Sequence, residues 1–177
     1  MVGITAYGAY IPRRRLNRMA IIQSMGWFAP GLITAARGER SMCNWDEDAM
    51  TMAVAAAKDC VTGVEKSAIN AAYLASTSLP FKDRQNSGIL STALNLPEEG
   101  LVTADFTASL KSGTTALLTG LDAVRGEGKD NVLVTASDAR DTKSAWFFEM
   151  WYGDGAASLL LGKNNVIAEF KGAHSVS

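Results

Sequence analysis

The sequence predicts an α/β fold, with a mostly parallel five-stranded sheet covered by helices and ending in an antiparallel hairpin. Three observations predict it. Short β-rich apolar runs alternate with segments whose apolar residues recur at helical spacing, the pattern of βαβ units. The runs are apolar along their whole length, as in a sheet covered on both faces. The last two runs are separated only by Lys163-Asn164-Asn165, which is too short for a crossover helix.

Each element follows in turn. Val2 to Tyr10 is a strand, ending before Pro12, which has no N–H to give a ladder. Leu16 to Met25 fits a helix, and Trp27 to Arg40 a loop broken by Pro30, Gly31 and Gly38. Asp46 to Val61 is the clearest helix, with Met50, Ala53, Val54, Ala57 and Val61 on one face. Its acidic start, Asp46-Glu47-Asp48, suits the positive end of the helix dipole and reads as a capped first turn in preference to a metal site. Ala71 to Thr77 is a strand. Gln85 to Leu96 is a helix stopped by Pro97, and Leu101 to Thr107 is a strand. Gly113 to Arg125 is a helix with Ala116, Leu117, Gly120, Leu121 and Val124 on one face. Asn131 to Asp138, Gly155 to Gly162 and Val166 to Gly172 complete the strands, and residues 1–177 read as one unit. The polar loops Lys82 to Ser87 and Asp138 to Ser144 follow strand C-termini, where α/β sheets take ligands.

Composition excludes several classes. The chain has 177 residues, 47% of them hydrophobic, with 17 Lys+Arg against 18 Asp+Glu. That supports a real core and argues against disorder and against nucleic acid as a partner, since no basic excess exists to displace counterions. No apolar run reaches membrane-spanning length, and Arg13, Arg14 and Arg15 follow the apolar start where a signal peptide would have them precede it. No membrane association and a cytoplasmic location are the expectation. Cys43 and Cys60 have neither disulfide-framework nor zinc spacing, so a reducing compartment and no metal are expected.

The chain has no P-loop, no GxGxxG after the first strand, no GxSxG elbow and no EF-hand loop. One segment stands apart. Asp105 to Leu117 runs from a strand through a turn of small residues into a helix. That geometry presents a nucleophile at a helix N-terminus, where free N–H groups and the dipole favour an anion. No thiol occupies it.

An ordered set of motifs carries a family resemblance over essentially the whole chain. It comprises Gly8-Ala9-Tyr10-Ile11-Pro12-Arg13 with Arg15-Leu16, then Asp46-Glu47-Asp48-Ala49 with Thr51-Met52-Ala53-Val54. Lys111-Ser112-Gly113-Thr114-Thr115-Ala116-Leu117 follows, and then Tyr152-Gly153-Asp154-Gly155-Ala156-Ala157 with Leu159-Leu160-Leu161-Gly162. The chain resembles the N-terminal half of a thiolase-superfamily condensing enzyme, in the 3-hydroxy-3-methylglutaryl-CoA synthase branch of archaeal type, with ketoacyl synthase III more distant. The resemblance implies one half of a thiolase-like fold, a coenzyme A thioester as ligand with no covalently bound cofactor, and acyl transfer with C–C bond formation as the family chemistry.

The departures fall on the chemical positions. The family's acylated cysteine matches Leu110, which has no nucleophilic atom. Its general-base glutamate matches Thr77, whose hydroxyl is no base near neutral pH. The family's catalytic His and Asn belong to a C-terminal half that this chain lacks, and His174, placed in the final strand, matches neither. No catalytic residue is therefore assigned. The substrate-binding candidates are Arg37 and Arg40, where relatives carry a basic CoA-facing loop, with Ser109 and Lys111 beside the nucleophile position. For each, a plainer role stands alongside: surface arginines, a helix-capping hydroxyl, a solvent or interface lysine. The aromatic run Trp146 to Tyr152 reads as core and subunit-interface packing, or as one wall of an acyl tunnel.

The resemblance implies partners as well: a C-terminal thiolase half, a catalytic thiolase-fold subunit, and a zinc-ribbon/OB-fold accessory protein of the kind that accompanies archaeal-type synthases. The leading expectation is a Cys-less, non-catalytic subunit that completes the dimer and acyl-CoA pocket of a partner. The alternatives are an acyltransferase whose remaining groups come from a separate C-terminal half, and an inactive fragment or interaction module.

Overall fold

The centre of the sheet is β4 (Ala71–Ala75), all five of whose residues are buried. A computed structural model describes residues 1–126 and 128–174. β4 pairs in parallel with β5 (Val102–Phe106) on one side and β6 (Val132–Asp138) on the other. Beyond β6 lie β7 (Gly155–Gly162), β1 (Gly3–Tyr10) and the short β8 (Ala168–Glu169), giving the order β5-β4-β6-β7-β1-β8. β7 is antiparallel to both β6 and β1, and β8 is antiparallel to β1. The sheet is therefore mixed: β1, β4, β5 and β6 run one way, β7 and β8 the other.

Two expectations are corrected here. The sheet has six strands, not five. The last two strands do not form a hairpin, because β1 lies between them: Gly3 pairs with Gly162 on one edge and Glu169 on the other. A three-residue link can be read locally, but insertion of a strand from the other end of the chain cannot. His174 lies past β8, exposed and outside any strand.

A second, two-stranded ribbon joins β2 (Arg14–Asn17) to β3 (Glu39–Met42), which overlap the expected helix from Leu16 and the expected loop up to Arg40. Their sequences, RRLN and ERSM, are polar, so no apolar alternation marked them. The helix between them, α1 (Arg18–Met25), starts at Asn17, whose side chain accepts from the Met19 N–H.

Three helices cover the sheet. α2 (Ala49–Cys60) begins with a capping box: Thr51 N donates to Asp48 Oδ1 at 2.7 Å, and Asp48 N to Thr51 Oγ1 at 2.8 Å. With α3 (Asn86–Ala93) it buries Met50, Ala53, Ala57, Leu74, Leu90 and Leu133 on one face. α4 (Ser112–Arg125) covers the other face, its Val124 packing with Tyr73, Ala75, Val134 and Leu161. Tyr73 and Leu74 are adjacent in β4 and enter opposite cores, as strand alternation requires. Fully burying a leucine such as Leu74 or Leu133 stabilises the fold by about 1.5–3 kcal/mol. Two glycines permit the close approach of the helices. A Cβ at Gly8 would collide with the backbone of Cys60 and Ala56 in α2, and one at Gly120 would sit 2.8 Å from Leu161 Cδ1.

α3 is capped from a distance. The Asp105 carboxylate on β5 accepts from Asn86 N and Ser87 N, each at 2.7 Å, and from Asn86 Nδ2 at 3.0 Å. Burial pushes this carboxyl up, but hydrogen bonds from Asn86 and Ser87 outweigh it and hold it below the ordinary value.

α5 (Phe147–Trp151) buries Met150 but leaves Trp146 54% and Trp151 59% exposed. Those two tryptophans are thus not part of this chain's core, against the core-packing reading. Among the described residues no helix is long and apolar enough to cross a membrane.

Candidate functional site

The parallel strands β4 and β6 end side by side, with Ala75 opposite Ala136. The chain leaves each through a polar loop, and a cleft of about 770 Å³ opens above them. Its walls include Arg40, Cys43, Thr77, Lys82, Arg140 and Asp154. Both polar loops singled out in the sequence reach it, through Lys82 and through 139–142.

Asp138, the last residue of β6, organises the β4 exit. One carboxylate oxygen, Oδ1, accepts from Ser76 Oγ at 3.0 Å, Thr77 N at 2.7 Å, Thr77 Oγ1 at 3.0 Å and Ser78 Oγ at 3.1 Å. Ser78 Oγ in turn accepts from Ala139 N at 2.9 Å, so the two strand exits are tied in both directions.

A second junction holds the opposite wall. Asp154, in the turn before β7, accepts from Cys43 N through Oδ2 at 2.8 Å, and its carbonyl accepts from Ser41 Oγ at 2.6 Å. The Cys43 thiol is pushed up to about 12, first by burial and then by the neighbouring Asp154 charge. A thiol held protonated is no nucleophile at neutral pH.

The charges lining the cleft are unequal in availability. Glu47 accepts from the Tyr10 hydroxyl and from Asn44 N. Asp48 caps α2, Asp154 holds Cys43 N, and Glu149 accepts from Ala145 N at 2.7 Å. These carboxylates are engaged with the protein's own donors. The cations are not ion-paired: among the described residues the salt bridges are Arg125–Asp122 and Lys171–Glu169, both outside the cleft. Arg40 donates through Nη1 to the Tyr152 carbonyl at 3.3 Å, and its Nε is buried without a partner. The Arg140 guanidinium stacks 4.3 Å from the centre of the Tyr152 ring. Asp141 is a further carboxylate of the lining, so Arg40, Lys82 and Arg140 share the cleft with carboxylates.

The turn expected to present a nucleophile connects β5 to α4. Ala108 holds a φ of 65°, in the left-handed region. Ser109 Oγ accepts from Lys111 N at 3.1 Å, and Ser109 O from Ser112 N at 3.0 Å, so this hydroxyl shapes the turn. Leu110 is 73% exposed at the helix entrance. Of the sequence-derived positions, Arg40 and Thr77 line the cleft, whereas Arg37, Ser109, Leu110 and Lys111 are not among its lining residues. Arg37 is exposed, and its carbonyl accepts from Arg18. Lys82, Cys43, Asp138, Arg140 and Asp154 were not singled out as site residues. The loops carrying Lys82, Asp138 and Arg140 were legible in the sequence, but which side chains they turn inward was not. No group of three or more metal-ligating side chains occurs among the described residues.

Comparison with known proteins places this geometry. No family model matches the chain. The chain is 30% identical over 172 residues to the hydroxymethylglutaryl-CoA synthase of Methanocella arvoryzae, covering 94% of this chain and 48% of that protein. It is 28% identical over 178 residues to the enzyme of the same name from Thermococcus gammatolerans, covering 98% and 49%. It therefore spans about half the length of the curated relatives it matches. Among solved structures, a 3-oxoacyl-(acyl-carrier protein) synthase from Burkholderia xenovorans superimposes with a TM-score of 0.83 at 14% identity, over 93% of this chain and 49% of that one. The priming β-ketosynthase of the R1128 polyketide pathway gives 0.79 at 21% identity, over 94% and 51%. At these identities the structural matches establish the fold alone.

Proposed function

For a chain homologous to archaeal hydroxymethylglutaryl-CoA synthases over about half their length, and built on the thiolase-like condensing-enzyme fold, we propose the role of a non-catalytic subunit. It completes the acyl-CoA pocket of a partner that supplies the nucleophile. The observation that carries this reading is Leu110: the residue at the entrance of α4 is a leucine, 73% exposed, with no atom able to take an acyl group. In this reading the chain corresponds to the N-terminal half of the fold, and the partner is a C-terminal thiolase half or a catalytic thiolase-fold subunit. A zinc-ribbon/OB-fold accessory protein is a further partner of the same proposal.

The ligand proposed for the cleft is a coenzyme A thioester. Among the described residues Arg40, Lys82 and Arg140 have no salt-bridge partner and would meet its phosphates, while the lining carboxylates Glu47, Asp48, Glu149 and Asp154 accept from internal donors. The test combines intact-mass analysis after incubation with acetyl-CoA and calorimetric titration with coenzyme A. The expected result is no acyl adduct, together with coenzyme A binding that weakens about tenfold in Arg140→Ala. Acylation of the chain would overturn the non-catalytic reading, and absence of binding would overturn the ligand assignment.

A further inference from the structure

Thr77 stands where the family resemblance places a general base, yet its surroundings give its hydroxyl a different and definite character. Asp138 Oδ1 lies 3.0 Å from Thr77 Oγ1 and 2.7 Å from Thr77 N. In this contact Thr77 Oγ1 is the donor and the Asp138 oxygen the acceptor. That oxygen also accepts from Thr77 N and the Ser76 and Ser78 hydroxyls; with its proton given to Asp138, Thr77 Oγ1 keeps its lone pairs for another donor. Thr77 Oγ1 accepts no hydrogen bond from any described residue, and Thr77 lines the cleft. The neighbouring hydroxyls differ. Ser76 is buried and accepts from Ser78 N at 3.0 Å, and Ser78 already accepts from Ala139 N.

We infer that Thr77 Oγ1 is a hydrogen-bond acceptor subsite of the cleft, selective for a ligand N–H or O–H donor such as a secondary amide, and that Asp138 is the positioning residue that fixes this polarity. The accepting atom is a hydroxyl oxygen, with the Asp138 carboxylate 3.0 Å behind it. Its backbone is tied to β6 through the Thr77 N–H, so the acceptor is held in place before the ligand arrives. This goes beyond the coenzyme A proposal and does not depend on it, because the probe need not be a coenzyme A derivative.

The experiment is an NMR titration of the whole chain with two small amides. N-methylacetamide carries one N–H donor; N,N-dimethylacetamide has the same carbonyl and no donor. The backbone resonances of Ser78 and Ala139 report binding. The expected result is an affinity at least about threefold higher for N-methylacetamide, within the range of one net hydrogen bond. Thr77→Ser should retain the preference and Thr77→Val should abolish it. Asp138→Asn can donate to Thr77 and release the hydroxyl proton towards the cleft, so the preference should vanish or invert there. Should Asp138→Asn fail to fold, the Thr77→Ser and Thr77→Val pair still decides. Equal affinity for the two amides in the unmodified chain, no perturbation by either, or a preference that survives Thr77→Val would each overturn the inference. Failure of coenzyme A to bind bears only on the ligand proposed above.

Discussion

The Asp154 carboxylate accepts the Cys43 backbone N–H at 2.8 Å, joining positions 111 residues apart. This contact fixes the loop after β3 to the turn before β7 and places a negative charge beside the Cys43 thiol. The thiol is pushed up to about 12, by burial first and by Asp154 second. Asp154→Asn keeps the side chain's shape and removes the charge, so the thiol should move down towards its ordinary value of 9.0. Alkylation of Cys43 by iodoacetamide at pH 9 should accelerate several-fold, measured by peptide mass mapping. An unchanged rate would show that burial alone sets the thiol. Because the shift is upward, the folded state holds this proton more tightly than the unfolded state. The stabilisation is therefore full below about pH 9 and is lost as pH rises towards 12.

Asp105 gives the opposite pH dependence. Hydrogen bonds from Asn86 and Ser87 hold its carboxyl below the ordinary 3.8 despite burial. Its contribution is therefore present above about pH 3.8 and is lost as pH falls through the lower folded value. Asp105→Ala removes the cap of α3 and leaves two backbone N–H groups without their acceptor. A loss of about 1–3 kcal/mol is expected in urea unfolding at pH 7. The deficit relative to the unmodified chain should shrink below pH 3.8.

Gly8 tests how closely β1 sits on α2. A Cβ there would strike the backbone of Cys60 and Ala56, and backbone cannot swing aside as a side-chain end can. Gly8→Ala should lower stability by about 3 kcal/mol or more, by overpacking. Gly31→Ala is the control, since a Cβ at Gly31 meets nothing within 4 Å. Thermal melts of the two variants should separate clearly.

Leu110→Cys places a thiol at the entrance of α4, a helix of 14 residues, at a position 73% exposed. The dipole of the first turn favours the thiolate. Iodoacetamide should therefore label the introduced thiol faster than Cys43 or Cys60 at pH 7. If the turn retains the family geometry, acetyl-CoA should also leave an acetyl group on the new sulfur, read by intact mass. Labelling no faster than at the two native cysteines would show that this turn does not activate a nucleophile.

Local patterns carried the elements that bury an apolar face. β4, β6, α2 and α4 lie close to where period and composition put them, because burial itself produces the period. The assignment of Leu110 and Thr77 to the family's chemical positions rests on the resemblance of ordered motifs. The sequence could also show that two polar loops leave the strand ends. What it could not show was which partners those residues meet. β1 slots between β7 and β8 through pairings that span the chain, and no local signal encodes a long-range register. The ribbon of β2 and β3 has no apolar face, so nothing periodic marked it.

The composition and apolar periodicity by themselves determined a layered α/β chain. Tertiary structure alone decided that Asp138 captures Thr77, that Asp154 captures Cys43, and that the cleft's cations have no salt-bridge partner among the described residues. The physical reason is that a side chain's hydrogen-bonding direction and charge depend on its neighbours in space. Those neighbours lie 61 and 111 residues away along the chain.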